Sequence, residues 1–225
     1  MQTRELLGTA QVPGGAELSL YRRGDDFMIT LDRNELMSTR MSGSEVALAE
    51  MAFERLGKRP GLHFLIGGYG MGFTLRAALA AMDAKAQLTV AELVPEIIAW
   101  ARGPMAEVAA GCLDDPRVRL VQGDVADMIA AGRGTYDAIL LDVDNGPDGL
   151  VRPANDRIYS EAGLRAAITA LRPGGVVAIW SAGADATFTR RLVRAGLAVD
   201  EVVVRARSNG KGPRHVIWFA TKRAG

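Results

Sequence analysis

The chain has 225 residues, 48% apolar and 6% aromatic, with 27 Lys and Arg against 26 Asp and Glu and a formal charge of +1. That length buries a full core, and a near-neutral balance without a basic run excludes a dedicated nucleic-acid binder. A single cysteine, Cys112, excludes a disulfide framework and a cysteine-based zinc site. With no apolar leader and no run near the roughly 20 residues of a membrane span, a cytoplasmic protein without a membrane partner is expected.

Residues 16–39 carry strand character. Glu17–Tyr21 and Phe27–Leu31 roughly alternate apolar and polar residues around Gly24-Asp25-Asp26, which predicts a β-hairpin. Two strands alone are marginal in water, so this hairpin needs cover, and a homodimer is one source of it. From Ser44-Glu45 an apolar-periodic run reaches Leu56 and stops at Gly57, the pattern of a capped amphipathic helix.

A strand–helix rhythm follows. Strands are predicted at Leu62–Ile66, Leu88–Glu92, Val118–Gln122, Tyr136–Asp142 and Val176–Ser181, short apolar runs of the kind covered on both faces. Helices are predicted at Phe73–Met82, Pro95–Arg102 (broken by Gly103-Pro104), Val125–Ala131, Asp156–Leu171 and Ala184–Ala195. Leu197–Arg207 and His215–Lys222 close as a hairpin. The expected class is α/β: a Rossmann-like, doubly wound seven-stranded sheet with an antiparallel edge over residues 46–225, behind an N-terminal β-hairpin segment at 1–45.

The first strand of that sheet runs into Gly67-Gly68-Tyr69-Gly70-Met71-Gly72 and then a helix. Such a turn brings backbone close to a ligand and presents free N–H groups at a helix N-terminus. Glu92 ends the next strand twenty residues beyond Gly72, where a carboxylate can accept both hydrogen bonds of a ribose diol. Gly123-Asp124 follows the third strand, and Asp124 there can accept an adenine amine. The candidate cofactor set is Gly67, Gly68, Gly70, Gly72, Glu92, Leu93, Gly123, Asp124, Val125 and Asp142. The loop lacks the G-x-G-x-x-G spacing of a dinucleotide site, so the ligand expected is an adenosyl group without pyrophosphate, S-adenosylmethionine or a relative. A purely structural glycine turn is the alternative.

Ile66–Gly72, Val90–Val94, Asp115–Asp124, Tyr136–Asp142 and Leu171–Gly175, in this order, resemble the spermidine synthase family, as do Tyr21–Phe27 and Asn34–Ser38. The resemblance covers most of residues 16–222. It implies a class I methyltransferase-type fold that binds S-adenosylmethionine or its decarboxylated form and transfers an alkyl group to an amine. Three departures stand out. Aminopropyl-transferring members carry GGGDGG, whose Asp holds the amino end of the decarboxylated cofactor, and that position here is Gly70. Their D-x-x-D loop is Asp142-Val143-Asp144-Asn145, and their substrate-facing Tyr-Gln/His-Glu aligns to Ser38-Thr39-Arg40. The N-terminal β region and the part after Ser181 are also shorter than the family's usual form.

An adenosyl sulfonium is already activated, so the protein must mainly position an amine and manage its proton. Asp142 and Asp144 are the candidate catalytic groups, since two carboxylates flanking one cation repel each other and raise one pKa. Asp142 is the expected base or amine anchor, with Asp144 and Asn145 shaping the acceptor pocket; plain turn chemistry over 144–147 is the alternative. Arg40 is either a partner for a cofactor carboxylate or a surface residue. Tyr69 either lines the substrate pocket or packs beneath the hairpin. The missing acid at Gly70 leans the cofactor toward intact S-adenosylmethionine, and the reaction toward methyl transfer to a small amine-bearing acceptor. Aminopropyl transfer from the decarboxylated cofactor is the alternative, and a non-catalytic adenosyl-binding protein the third. His63 and His215 read as structural, Trp100, Trp180 and Trp218 as core, and Cys112 as unactivated; no metal site is expected.

Overall fold

A computed structural model of the chain describes residues 3–32, 34–57, 59–143 and 156–223. The chain opens with an antiparallel sheet ordered β1 (Glu5–Gln11), β2 (Glu17–Arg23), β3 (Asp26–Leu31), β4 (Asn34–Ser38). The expected hairpin is its centre: β2 and β3 pair from Leu18–Leu31 to Arg23–Asp26, and Gly24 turns the chain at φ +62°, a conformation that suits glycine. The two-strand expectation is thereby corrected to four. Gly8 interrupts the alternation of β1, and a register shift at Ile29/Thr30 breaks the ladder to β4, so neither shows a clean period of two. Gly8 also has a packing reason: a Cβ there would lie 2.8 Å from the Trp100 indole nitrogen.

The helix α1 (Gly43–Leu56) leads into the central sheet, whose elements are β5 (His63–Gly67), α2 (Phe73–Ala81), β6 (Gln87–Glu92), α3 (Pro95–Arg102), α4 (Ala106–Ala109), β7 (Val118–Gln122), α5 (Val125–Ala131), β8 (Tyr136–Leu141), α6 (Asp156–Tyr159), α7 (Glu161–Ala170), β9 (Leu171–Ser181), α8 (Ala186–Arg194), β10 (Ala198–Arg205) and β11 (Arg214–Thr221). Its strand order is β10-β11-β9-β8-β5-β6-β7. Strands β5 to β9 pair in parallel, and β11 and β10 add antiparallel. This is the Rossmann-like seven-stranded sheet expected from the strand–helix rhythm.

Side chains alternate across a strand. Phe64 and Ile66 therefore enter one core with Leu48 and Leu75, while Leu65 enters the other with Phe188 and Trp218. Parallel pairing also brings the C-terminal ends of β5, β6, β7 and β8 to one edge of the sheet. Ligands of such sheets bind at that edge, near the strand where the winding reverses. Here that strand is β5, flanked by β6 on one side and β8 on the other.

Two helix expectations change. The predicted helix over 156–171 divides, because Ser160 Oγ accepts the Gly163 N–H at 3.1 Å to cap α7 and Leu171 leaves the helix to start β9. Gly163 there packs directly on the carbonyls of Arg157 and Ile158. At α1 the N-cap position falls to Ser42, which makes no side-chain cap bond, and Ser44 turns elsewhere. The start of α1 is instead clamped to the C-terminal hairpin: Gly43 N–H donates to the Ala206 carbonyl at 2.8 Å. Among the described residues no helix is long and apolar enough to cross a membrane.

A Cβ on Gly43 would lie 2.6 Å from the backbone carbonyl carbon of Arg207, where backbone cannot give as a flexible side chain does. Gly43→Ala is expected to lower unfolding free energy by about 1–3 kcal/mol, seen as a lower denaturant midpoint. An unchanged midpoint would show that the clamp yields freely.

Candidate active site

The ends of β5, β6, β7 and β8, roofed by the N-terminal sheet, enclose a cavity of about 380 Å³. Gly68 and Gly70 line it, whereas Gly67 and Gly72 stand behind it against Val125 and the Tyr69 ring. Gly68 adopts φ +83°, and a Cβ there would lie 2.5 Å from the Asp142 carbonyl oxygen, so only glycine lets the β5 and β8 ends approach this closely. Gly70 also has positive φ, at +56°, but its Cβ would meet only the flexible end of Met37 at 3.0 Å.

Glu92 organises the loop. Its two carboxylate oxygens accept the Tyr69 N–H at 2.9 Å and the Val94 N–H at 2.8 Å, and Gly68 N–H reaches the Ala91 carbonyl. Burial raises the Glu92 pKa, with backbone N–H groups working against that rise. The Gly70 and Leu93 N–H groups also lie near this carboxylate, and Glu92 lines the cavity. Asp124 lines the cavity too, while its Oδ1 caps α5 through the Ala126 N–H at 2.9 Å and its Oδ2 accepts from Arg157 at 3.0 Å. Leu93, Gly123 and Val125 are further lining residues.

Two expected substrate residues point elsewhere. Tyr69 is 4% exposed and belongs to the core, its hydroxyl 3.4 Å from Cys112 Sγ. Of its two readings, packing is the one its position matches, and burial raises its pKa. Arg40 turns away from the cavity toward Asp26, 3.6 Å away. Asp144 and Asn145 lie outside the described residues.

Four residues that the sequence did not assign to the site complete it, His215 having read as structural and Ser44-Glu45 as a helix start. Glu45, from α1, faces the same cavity as Asp142. The Thr74 hydroxyl is within hydrogen-bond reach of Asp142 Oδ2 at 3.2 Å and of the Glu45 carbonyl at 3.4 Å. Ser44 Oγ bridges Glu45 Oε2 at 2.8 Å and His215 Nδ1 at 2.9 Å. The His215 ring packs edge-on against Trp180, 4.7 Å between centroids, and Trp180 Nε1 is buried with no hydrogen-bond partner among the described residues. Both carboxyl pKa values are raised: Glu45 by burial and then by the Asp142 charge, Asp142 by burial against the Thr74 hydrogen bond. Burial lowers that of His215. The Ser44-Glu45 dipeptide was visible as a helix start, but its partner lies 171 positions away, beyond any local pattern.

The cavity is acidic. Among the described residues it is lined by Glu35, Glu45, Glu92, Asp124 and Asp142, with no Lys or Arg. No group of three or more His, Cys, Asp or Glu placed to hold a metal occurs among those residues.

The raised pair links folding to pH. Unfolded carboxyls titrate near about 4, so between that range and the folded values the native state binds more protons than the unfolded one, and stability falls as pH rises. The contribution is complete below the unfolded values and is lost as pH climbs through about 6 and about 8. Thermal midpoints against pH are expected to show this decline, and Asp142→Asn to flatten it. An equal slope in the variant would remove the pair as its cause.

Comparison with known proteins places this geometry. The spermine/spermidine synthase domain family matches residues 58–194, a span that holds the glycine loop, Glu92, Asp124 and Asp142 but not Glu45 or His215. A polyamine aminopropyltransferase of Mycobacterium tuberculosis is 31% identical over 166 residues, covering 72% of this chain and 30% of that protein. A putrescine N-methyltransferase of Nicotiana tabacum is 39% identical over 114 residues, covering 50% of this chain and 28% of that protein. The chain thus spans about a third of the length of these curated relatives. In fold, the spermidine synthase of Thermotoga maritima superposes with a TM-score of 0.76 at 18% identity, covering 98% of this chain and 74% of that one. Matched over more than half its length, through the very strand ends that enclose the acidic cavity, this chain belongs to the spermine/spermidine synthase family.

Proposed function

We propose that the protein transfers an alkyl group from an adenosyl sulfonium to an amine, and that the group is aminopropyl, drawn from decarboxylated S-adenosylmethionine. One observation carries the choice: five carboxyl groups and no described Lys or Arg line the cavity. Decarboxylated cofactor and amine acceptor are both cationic, and each finds acids there. An intact cofactor would add a carboxylate among like charges. Like charges brought together in a cavity repel, whereas a helix N-terminus returns only about 0.3–1 kcal/mol. Repulsion wins, and Arg40, the expected counter-charge, is engaged with Asp26. The initial lean toward methyl transfer is therefore reversed. Methyl transfer to an amine stays as the second reading, supported by the side-chain-free Gly70 and by the tobacco relative.

The residues fit an adenosyl group. The cradle at Gly68 and Gly70 leaves backbone bare, Glu92 places a carboxylate at the cavity wall, and Leu93, Val94, Ile97 and Val125 supply apolar lining. When bound, such a cofactor supplies a carbon activated by positive sulfur, so no acid is needed for the leaving group. Asp142, steadied by Thr74, anchors the acceptor ammonium, and the Glu45–Asp142 pair holds the proton that the nitrogen must give up to become a nucleophile. A second copy of the chain pairing across the N-terminal sheet belongs to the same proposal, since β1 is an edge strand with Leu6 53% exposed.

Calorimetric titration with decarboxylated S-adenosylmethionine, the intact cofactor and methylthioadenosine tests the reading. Preference for the first is expected; preference for the intact cofactor would move the assignment to methyl transfer, and binding of none would end the adenosyl reading. Asp142→Asn is expected to cut turnover by about 10²–10⁴-fold while sparing cofactor affinity. Undiminished turnover would take Asp142 out of the chemistry.

A further inference from the structure

Ser44 is fully buried, with one hydroxyl proton and two partners, Glu45 Oε2 at 2.8 Å and His215 Nδ1 at 2.9 Å. Two donor directions through the hydroxyl satisfy all three groups. With Glu45 ionised, Ser44 donates to it and accepts from a protonated Nδ1. With Glu45 protonated on Oε2, Glu45 donates to Ser44, and Ser44 donates to a bare Nδ1. A proton on Glu45 Oε2, inside the cavity, is therefore tied to the tautomer or charge of an imidazole on β11. His215 is half-buried, and so has an edge that water reaches.

We propose that Ser44 and His215 form the proton outlet of the Glu45–Asp142 pair. When a cationic amine docks on the two carboxyls, the Glu45 Oε2 proton passes to Ser44 Oγ while the Ser44 proton passes to His215 Nδ1. Glu45 is left an anion and His215 an imidazolium that releases the proton to water. One proton enters and one leaves the serine oxygen, so the hydroxyl is unchanged at the end. This outlet rests on the amine-binding reading for its trigger, but the Glu45–His215 linkage exists without any ligand.

The groups that face the pair favour this direction. Asp142 closes β8, Thr74 comes from α2, Glu92 and Asp124 from the ends of β6 and β7, and Glu35 from β4 at the rim. All the charged groups that line the cavity are acids, Asp124 among them already paired with Arg157, and burial disfavours an imidazolium at His215, so the imidazolium is only a transient carrier. Burial and mutual repulsion likewise make the pair ready to hold one proton in the free site and to surrender it to an incoming cation. Ser44 and Glu45 directly follow Gly43, the residue clamped on the hairpin that carries His215, so the three groups are held in register by backbone.

The test follows the His215 ring by nuclear magnetic resonance through a pH titration of the full chain, with and without 1,4-diaminobutane. In the free protein the ring is expected to report a second inflection from the carboxyl pair. Glu45→Gln should remove it, and Ser44→Ala should uncouple the ring so that it titrates in one step. Adding the diamine to the unmodified protein should remove the carboxyl-linked inflection from the His215 titration, and calorimetry in buffers of different ionisation enthalpy should count a released proton that Ser44→Ala abolishes. A ring titration identical in the unmodified, Glu45→Gln and Ser44→Ala proteins overturns the outlet. His215→Asn, which keeps a polar atom near Nδ1 but cannot titrate, separates proton transfer from packing: the outlet requires it to lose proton release, and retained release overturns the proposal. If the diamine does not bind at all, the functional reading fails, and the ligand-free titration still decides the linkage.

Discussion

The carboxylate of Glu92 is the fastening on which the site depends. A glycine loop bent through positive φ at Gly68, Gly70 and Gly72 leaves backbone N–H groups without strand or helix partners, and a buried N–H without an acceptor costs about 1–3 kcal/mol. Glu92 answers by receiving Tyr69 and Val94 together. That single side chain ties the turn after β5 to the turn after β6, and fixes where the loop meets the cavity. Tyr69 is drawn inward by the same geometry, which is why an aromatic residue inside a ligand loop serves the core.

Once the loop is fastened, electrostatics decides the chemistry. A cavity lined by carboxyl groups is tolerable only if some are protonated, paired or hydrogen-bonded. Each route is used: Asp124 has Arg157, Glu92 has backbone donors, and Glu45 and Asp142 share a raised affinity for protons. A cationic ligand relieves all of this at once. The site is thus preorganised for positive charge, with little need for residues that move.

What could be read in advance was whatever is local in the chain. The strand-to-helix turn at Gly67–Gly72, the acid ending β6 and the Gly-Asp pair after β7 are each complete within a few residues, and each faces or borders the cavity. The seven-stranded sheet was legible because buried parallel strands are unbroken apolar runs. The remainder depends on tertiary approach. Glu45 and His215 meet only because α1 packs on the last hairpin, and Arg40 reaches Asp26 rather than the cavity because β3 and β4 lie antiparallel. β1 was hidden by Gly8, whose missing side chain makes sense only beside Trp100.

The clamp at Gly43 makes the cavity depend on a distant strand. The N-terminal roof, the glycine loop and the strand ends from β5 to β8 all precede β9 in the chain, but the wall bearing His215 comes from β11, about 150 residues beyond the glycine loop. Until that strand pairs beside β9, Ser44 has no imidazole partner and the start of α1 has no backbone to rest on. The acidic cavity is therefore closed only when β11, far along the chain from the glycine loop, has paired, and a chain cut before that strand would leave the amine end open.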